Sequence, residues 1–238
     1  MESNVSSERG PSAMWAHVLP FAAWIGLMHF LDVPALPPAW AYAIRSGLCL
    51  GLLLYLRPWR WYSRPVWRHF PMAALWGVGV FVAWVGLEHP AVARWGALQD
   101  FYVRWGIRPF GELRPEVAAF PFAPETCGWF LTAVRILGSG LVIGVIEEFF
   151  WRGFLYRWIF GGEFTAVDPG RFGALPFFAV ALAFGFEHME WAAGIVAGLA
   201  YGWLFLKTRD IWAVSFAHAL TNILLGAYVV ATGSYQFW

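Results

Sequence analysis

Charge is what this sequence has least of: 13% of its 238 residues are Asp, Glu, Lys or Arg, against about 25% in a soluble domain. A chain so poor in charge cannot clothe a globule in solvated side chains, which excludes an ordinary soluble enzyme or binding module. Cysteine is nearly missing too. Cys49 and Cys127 lie far apart in unlike settings, so no disulfide or cysteine-based metal framework is indicated. There is no His-Glu-x-x-His run, the helical signature of zinc proteases. The formal net charge of +1 says nothing about nucleic acid, and no basic patch outside the loops supports such a partner, so none is expected. The polar start, residues 1–11, carries no basic region before its apolar run, so the first apolar segment is expected to be a retained anchor and not a cleaved signal.

What is there is apolar and aromatic. The chain is 60% hydrophobic with 17 tryptophans and a mean hydropathy of +0.56, and tryptophan belongs in the aromatic belts at lipid–water boundaries. The expected fold is all-α: a multi-pass transmembrane helix bundle of about seven spans (six to eight), forming one integral-membrane domain over 1–238. A span needs ~20 mostly apolar residues. Candidates are 14–31, 40–56, 70–87, a long 129–160, 174–188, 191–206 and 211–231. Between the third and fourth, 88–126 turns mixed and proline-rich; its Trp95, Phe101, Trp105 and Phe110 suggest a segment lying on the bilayer surface. Gly194, Gly198 and Gly202 recur every four residues, a small-residue stripe for close helix packing. Gly140/Gly144 and Gly47/Gly51 repeat it more weakly.

Loop charges orient the bundle. With an inside amino terminus, Arg57, Arg60, Arg64, Arg68, Arg157, Arg171, Lys207 and Arg209 share one side, while Arg94, Arg104, Arg108 and Arg114 fall on the other. The expectation is a multi-pass protein of the cell membrane, of the bacterial inner-membrane kind, with a cytoplasmic amino terminus.

Ionisable groups at membrane depth are costly, by roughly 2.5–3.5 kcal/mol each on insertion scales, and their default reading is functional. Glu147, Glu148 and Arg152 sit inside the long fourth span. On a helix, Glu148 and Arg152 share a face and can pair, while Glu147 is turned about 100° away and stays free. Phe184 and His188 end the fifth span; His218 and Asn222 share one face of the seventh. A carboxylate, two imidazoles and an amide from three helices is a set suited to hydrolysis: a base for water, a group to orient it, donors for the oxyanion. Each piece also has a plainer reading. Glu147, Glu148 and Arg152 can be a structural ion cluster or a proton relay, His188 an interfacial histidine, and His218 with Asn222 interhelical hydrogen bonding. His17, His29, His69 and His89 fall near span ends and read as interfacial; Arg45 and Arg135 read as snorkelling. Depth is uneven: Glu147 lies roughly mid-bilayer at about 1.5 Å per residue from Arg135, while His188 lies at a helix end. A tilted or short fifth helix, an outward-opening cavity or a reversed orientation would each reconcile them.

Glu147-Glu148-x-x-x-Arg152, Phe184-x-x-x-His188 and His218-x-x-x-Asn222, in this order on late spans, resemble the motifs of the CAAX-processing and bacteriocin-processing (CPBP, or Abi) intramembrane endopeptidases. The resemblance covers a motif-bearing core at 135–228. It implies Glu147 as general base for water, His188 as its orienting partner, His218 and Asn222 as oxyanion stabilisers, and Glu148, Arg152 and Phe184 in supporting roles. The substrate it implies is a protein or peptide, membrane-associated or exported, reaching the site from the bilayer. It favours a metal-free mechanism without cofactor over zinc, although two histidines and a glutamate from separate helices could hold zinc. The family also contains bacteriocin-immunity and scaffolding members, so a non-catalytic scaffold or immunity protein of the same fold is the alternative; a proton-coupled transporter is a third. The resemblance carries no prenyl substrate over to this chain. Lys207-Thr208-Arg209-Asp210 departs from the Thr-Gly turn that many relatives have before the last helix.

Overall fold

Helix ends are written into the sequence. Ser12 caps the first helix, its hydroxyl accepting from the Trp15 amide at 3.4 Å. Proline, whose ring pre-sets a helical φ and whose missing N–H costs nothing in a first turn, opens the second at Pro38 and the fifth at Pro124. Asp210 caps the last, accepting from the Trp212 amide at 3.0 Å. In the computed structural model, which describes residues 12–86, 88–89, 95–107 and 120–238, the elements are α1 Ala13–Phe30, α2 Pro38–Leu56, α3 Phe70–Gly86, α4 Gly96–Trp105, α5 Pro124–Trp158, α6 Ala174–Phe186, α7 Trp191–Thr208 and α8 Ile211–Thr232. Among the described residues there is no strand.

Five of these helices, α1, α2, α3, α5 and α8, are long and apolar enough to cross a membrane; α6 is apolar but shorter. The seven expected spans therefore all exist as helices, displaced by a few residues at their ends. α6 is the exception that matters, because it stops at Phe186 and leaves His188 in the turn before α7. Arg94, Arg108, Phe110 and Arg114 lie outside the described residues.

The interior is assembled around α8, which packs against α3, α5 and α7. Small residues permit the approach. A Cβ at Gly77 of α3 would stand 2.6 Å from the Ala217 carbonyl oxygen, so the α3–α8 crossing needs that glycine. The expected stripe on α7 is packing: Gly194 and Gly198 rest on the α6 backbone at Gly185 and Ala181. Gly140 and Gly144 likewise lie against Ala219 of α8. Gly47 and Gly51 do not follow the expectation, for nothing stands within 4 Å of either Cβ position. Outward faces are apolar, with Leu75, Leu175 and Tyr55 each more than 70% exposed, as lipid-facing side chains are. α4 carries a comparable stripe: Trp95, Leu98, Phe101 and Trp105 are all exposed along one face, the pattern of a helix on the bilayer surface.

α5 is not regular. Gly128 takes φ +80° and kinks its start, and two π-helical stretches, Gly138–Ile143 and Phe149–Leu155, bracket the short α-helical piece Gly144–Glu148. Such wide turns collect at functional sites. Here they flank the two glutamates.

Candidate active site

Glu147, Glu148 and Arg152 are 5%, 0% and 1% exposed, and burial of this kind is tolerated only where charges find partners. Glu148 finds two. Its Oε1 accepts from Arg152 Nη1 at 2.9 Å and from His218 Nδ1 at 2.8 Å. The other guanidinium nitrogen, Nη2, donates to the Gly198 carbonyl at 3.1 Å, and the cation lies 4.5 Å over the Phe184 ring. The cluster thus ties α5 to α6, α7 and α8 at one point.

Glu147 is the acid left over, as its angular offset predicts. Its Oε2 lies 3.7 Å from His218 Nε2, beyond hydrogen-bond range, and has no hydrogen-bond partner among the described residues. It lines a cavity of about 310 Å³ together with His188, His218 and Asn222. The four side chains singled out in the sequence therefore face one space. Glu148 and Arg152 stand behind it.

Each imidazole is set by what its Nδ1 touches. His188 Nδ1 lies 2.8 Å from the Phe184 carbonyl oxygen; a carbonyl only accepts, so Nδ1 carries the proton, and a neutral ring then offers Nε2 as an acceptor. Phe184 and Trp84 hold the ring between them, with centroids at 4.8 and 5.3 Å. With α6 ending at Phe186, His188 sits in the turn and lines the same cavity as Glu147. His218 is stacked on Tyr201, centroids 4.9 Å apart at 25°, and the Tyr201 hydroxyl donates to Thr221 Oγ1 at 2.7 Å. With Nδ1 donating to Glu148, His218 also donates from Nε2 only when doubly protonated. Asn222 Nδ2 spends one hydrogen on the Ser139 carbonyl at 2.9 Å, and its second hydrogen remains for another acceptor.

Among the described residues no group of three or more His, Cys, Asp or Glu side chains is placed to hold a metal ion.

Several partners escaped the sequence. Tyr201, Thr221 and Ser139 have no motif to mark them, being ordinary members of apolar helices. Glu187, whose Oε2 accepts from Trp151 Nε1 at 3.2 Å, was visible only as a charge beside His188. Trp84 brings a buried indole N–H with no hydrogen-bond partner among the described residues to the cavity wall. His17, expected at an interface, is buried, its Nε2 2.9 Å from the Tyr62 hydroxyl. Arg45 and Arg135 both line the cavity.

Residues 129–224 match a protein-family model described as type II CAAX prenyl endopeptidase Rce1-like. The matched stretch begins on α5 beyond its kink and ends on α8 two residues past Asn222, so it contains all four cavity residues with Glu148 and Arg152 and leaves α1 to α4 outside. This likeness, on a bundle of membrane-length apolar helices, supports intramembrane protease activity of the CAAX type in general. Comparisons with curated proteins and with solved structures found no match.

Proposed function

We propose that this protein is a metal-free, glutamate-dependent intramembrane endopeptidase, cutting a peptide bond of a membrane-associated or exported protein. The observation that carries the reading is the Glu147 carboxylate, its Oε2 without a hydrogen bond among the described residues, in a cavity it shares with two imidazoles and an amide. Glu147 takes a proton from water whose position His188 Nε2 fixes by accepting its other hydrogen. The water oxygen bonds to the scissile carbonyl carbon. His218, in its doubly protonated form, and the free Asn222 N–H donate to the resulting oxyanion. As the C–N bond breaks, Glu147 returns the proton to the leaving nitrogen, giving an acid and an amine.

Orientation belongs to the same proposal. Arg64, Arg157 and Arg209 line one polar cavity of about 450 Å³ at the end where α5 and α7 finish and α8 starts. The candidate site lies toward the opposite ends, among residues late in α1 and α3 and early in α2. Placing the arginine end and the amino terminus in the cytoplasm of a bacterial inner membrane opens the site toward the external half of the bilayer.

The test is cleavage of a membrane-anchored reporter library by purified protein. Glu147→Gln is expected to lower turnover by about 10²–10⁴-fold, the usual worth of a general base, and His218→Ala by ~10²–10³-fold, the worth of an oxyanion donor. Activity is expected to survive exhaustive chelation. Wild-type rates in both variants would refute the proposal.

A further inference from the structure

The cavity has a second set of unspent polar atoms, on the wall away from Glu147's helix turn. Arg45 of α2 lies with its guanidinium 3.9 Å over the Trp24 ring and 5.3 Å from Tyr42; Arg135 of α5 lies 4.5 Å over the same Tyr42. Both line the cavity, and the Nε of each is buried with no hydrogen-bond partner among the described residues. No ion pair among the described residues joins either guanidinium to a carboxylate, although Glu147 and Glu190 line the same space.

Two cations around one tyrosine repel each other, and more strongly where water is scarce. Each guanidinium lines the cavity with its Nε buried, so its remaining N–H donors are within reach of a ligand there. Stacking on aromatic rings satisfies the faces of a guanidinium and leaves its edge of N–H donors unserved. That edge matches a carboxylate in shape as well as in charge. A cavity of about 310 Å³ is at the small end of pockets for compact ligands, which suits a short peptide segment better than a whole lipid.

We propose that Arg45 and Arg135 form a carboxylate subsite, which binds an acidic group of the peptide, terminal or side-chain, while its backbone lies at Glu147. The substrate class is then an acidic peptide. The peptide part of this inference rests on the endopeptidase reading; the anion site itself does not.

The experiment measures binding, by tryptophan fluorescence, of two isosteric peptide pairs to the full-length protein in micelles. One pair is acetyl-Leu-Ala-Leu with a free or an amidated end; the other is amidated acetyl-Leu-Glu-Leu against its Gln counterpart. In at least one pair the charged member is expected to bind about 10-fold or more tightly, as a charge-assisted contact allows. Arg45→Gln and Arg135→Gln are each expected to reduce that ratio to below about 2-fold, and Arg135→Lys to keep part of it. The ratio within one variant does not depend on how much of it is folded. Glu147→Gln is expected to keep the preference while losing cleavage, so the subsite and the catalytic reading fail separately. Equal binding within both pairs in the wild type, or a preference unchanged in both glutamine variants, would overturn the subsite. So would its abolition by phosphatidylglycerol but not phosphatidylcholine nanodiscs, which would assign the arginines to a lipid phosphate.

Discussion

Adjacent glutamates with opposite circumstances make Glu147 and Glu148 separable by measurement. Glu148 holds Arg152 and His218 at once, and removing one partner of a buried pair leaves the other charge uncompensated, at a cost of about 3–5 kcal/mol. Glu148→Gln is therefore expected to lower both thermal stability and turnover, because it unseats the arginine and frees the His218 ring from its tautomer. Glu147→Gln removes a buried charge that has no hydrogen bond on Oε2, so it is expected to abolish turnover with stability unchanged or raised. Thermal unfolding followed alongside reporter cleavage distinguishes the two; equal destabilisation by both changes would show that Glu147 is structural. At this scale the sequence was legible where spacing decides geometry. Four-residue separation foretold the Glu148–Arg152 pair, and a 100° offset foretold that Glu147 stands apart from it. The Glu148–His218 bond spans 70 positions, and no local rule reaches that far. The surroundings of Arg45 and Arg135 were equally out of reach, for Trp24 beside Arg45 and Tyr42 beside Arg135 come from other helices.

Helices were readable to within a few residues because apolar runs, prolines and caps are local signals. The π-helical stretches of α5 were not, since widening a turn depends on what packs against it. Glycine's value on α7 was legible, but the same spacing at Gly47 and Gly51 faces open space, so a small-residue stripe predicts a contact only where a partner helix is present. This yields a paired prediction. At Gly194 any Cβ stands 2.9 Å from the Gly185 backbone, so Gly194→Leu is expected to cost at least about 1–3 kcal/mol through overpacking and to separate α6 from α7. Gly51→Leu is expected to be tolerated. Thermal stability of the two purified variants checks this, and equal tolerance would mean that α6 does not sit on α7. Arg209 shows how a departure from the family pattern is absorbed. It ends α7 with φ 55°, a left-handed conformation that suits glycine, and its guanidinium lies 3.5 Å from Asp168.

For the whole molecule, the arginine-lined end and the site-bearing end are opposite, and topology becomes a question of which end faces in. Single cysteines placed at Ser63 and Ser234, in a background lacking Cys49 and Cys127, are expected to label differently in intact cells: Ser63 protected from a membrane-impermeant maleimide, Ser234 modified. The reverse pattern would invert the orientation and put the cavity's opening on the cytoplasmic half.

α6 has 13 residues, which at 1.5 Å each reach about 20 Å, some 10 Å less than a ~30 Å hydrocarbon layer. A helix this short is expected to be matched by thinning of the bilayer beside His188. A hydrolase buried in oil needs its co-substrate delivered, and a dimple in the membrane brings the aqueous phase down to the catalytic depth without a channel. Turnover is accordingly expected to rise in nanodiscs of short-chain phosphatidylcholine and fall in long-chain ones, with peptide affinity little changed; rates indifferent to acyl length would mean that water arrives by another route.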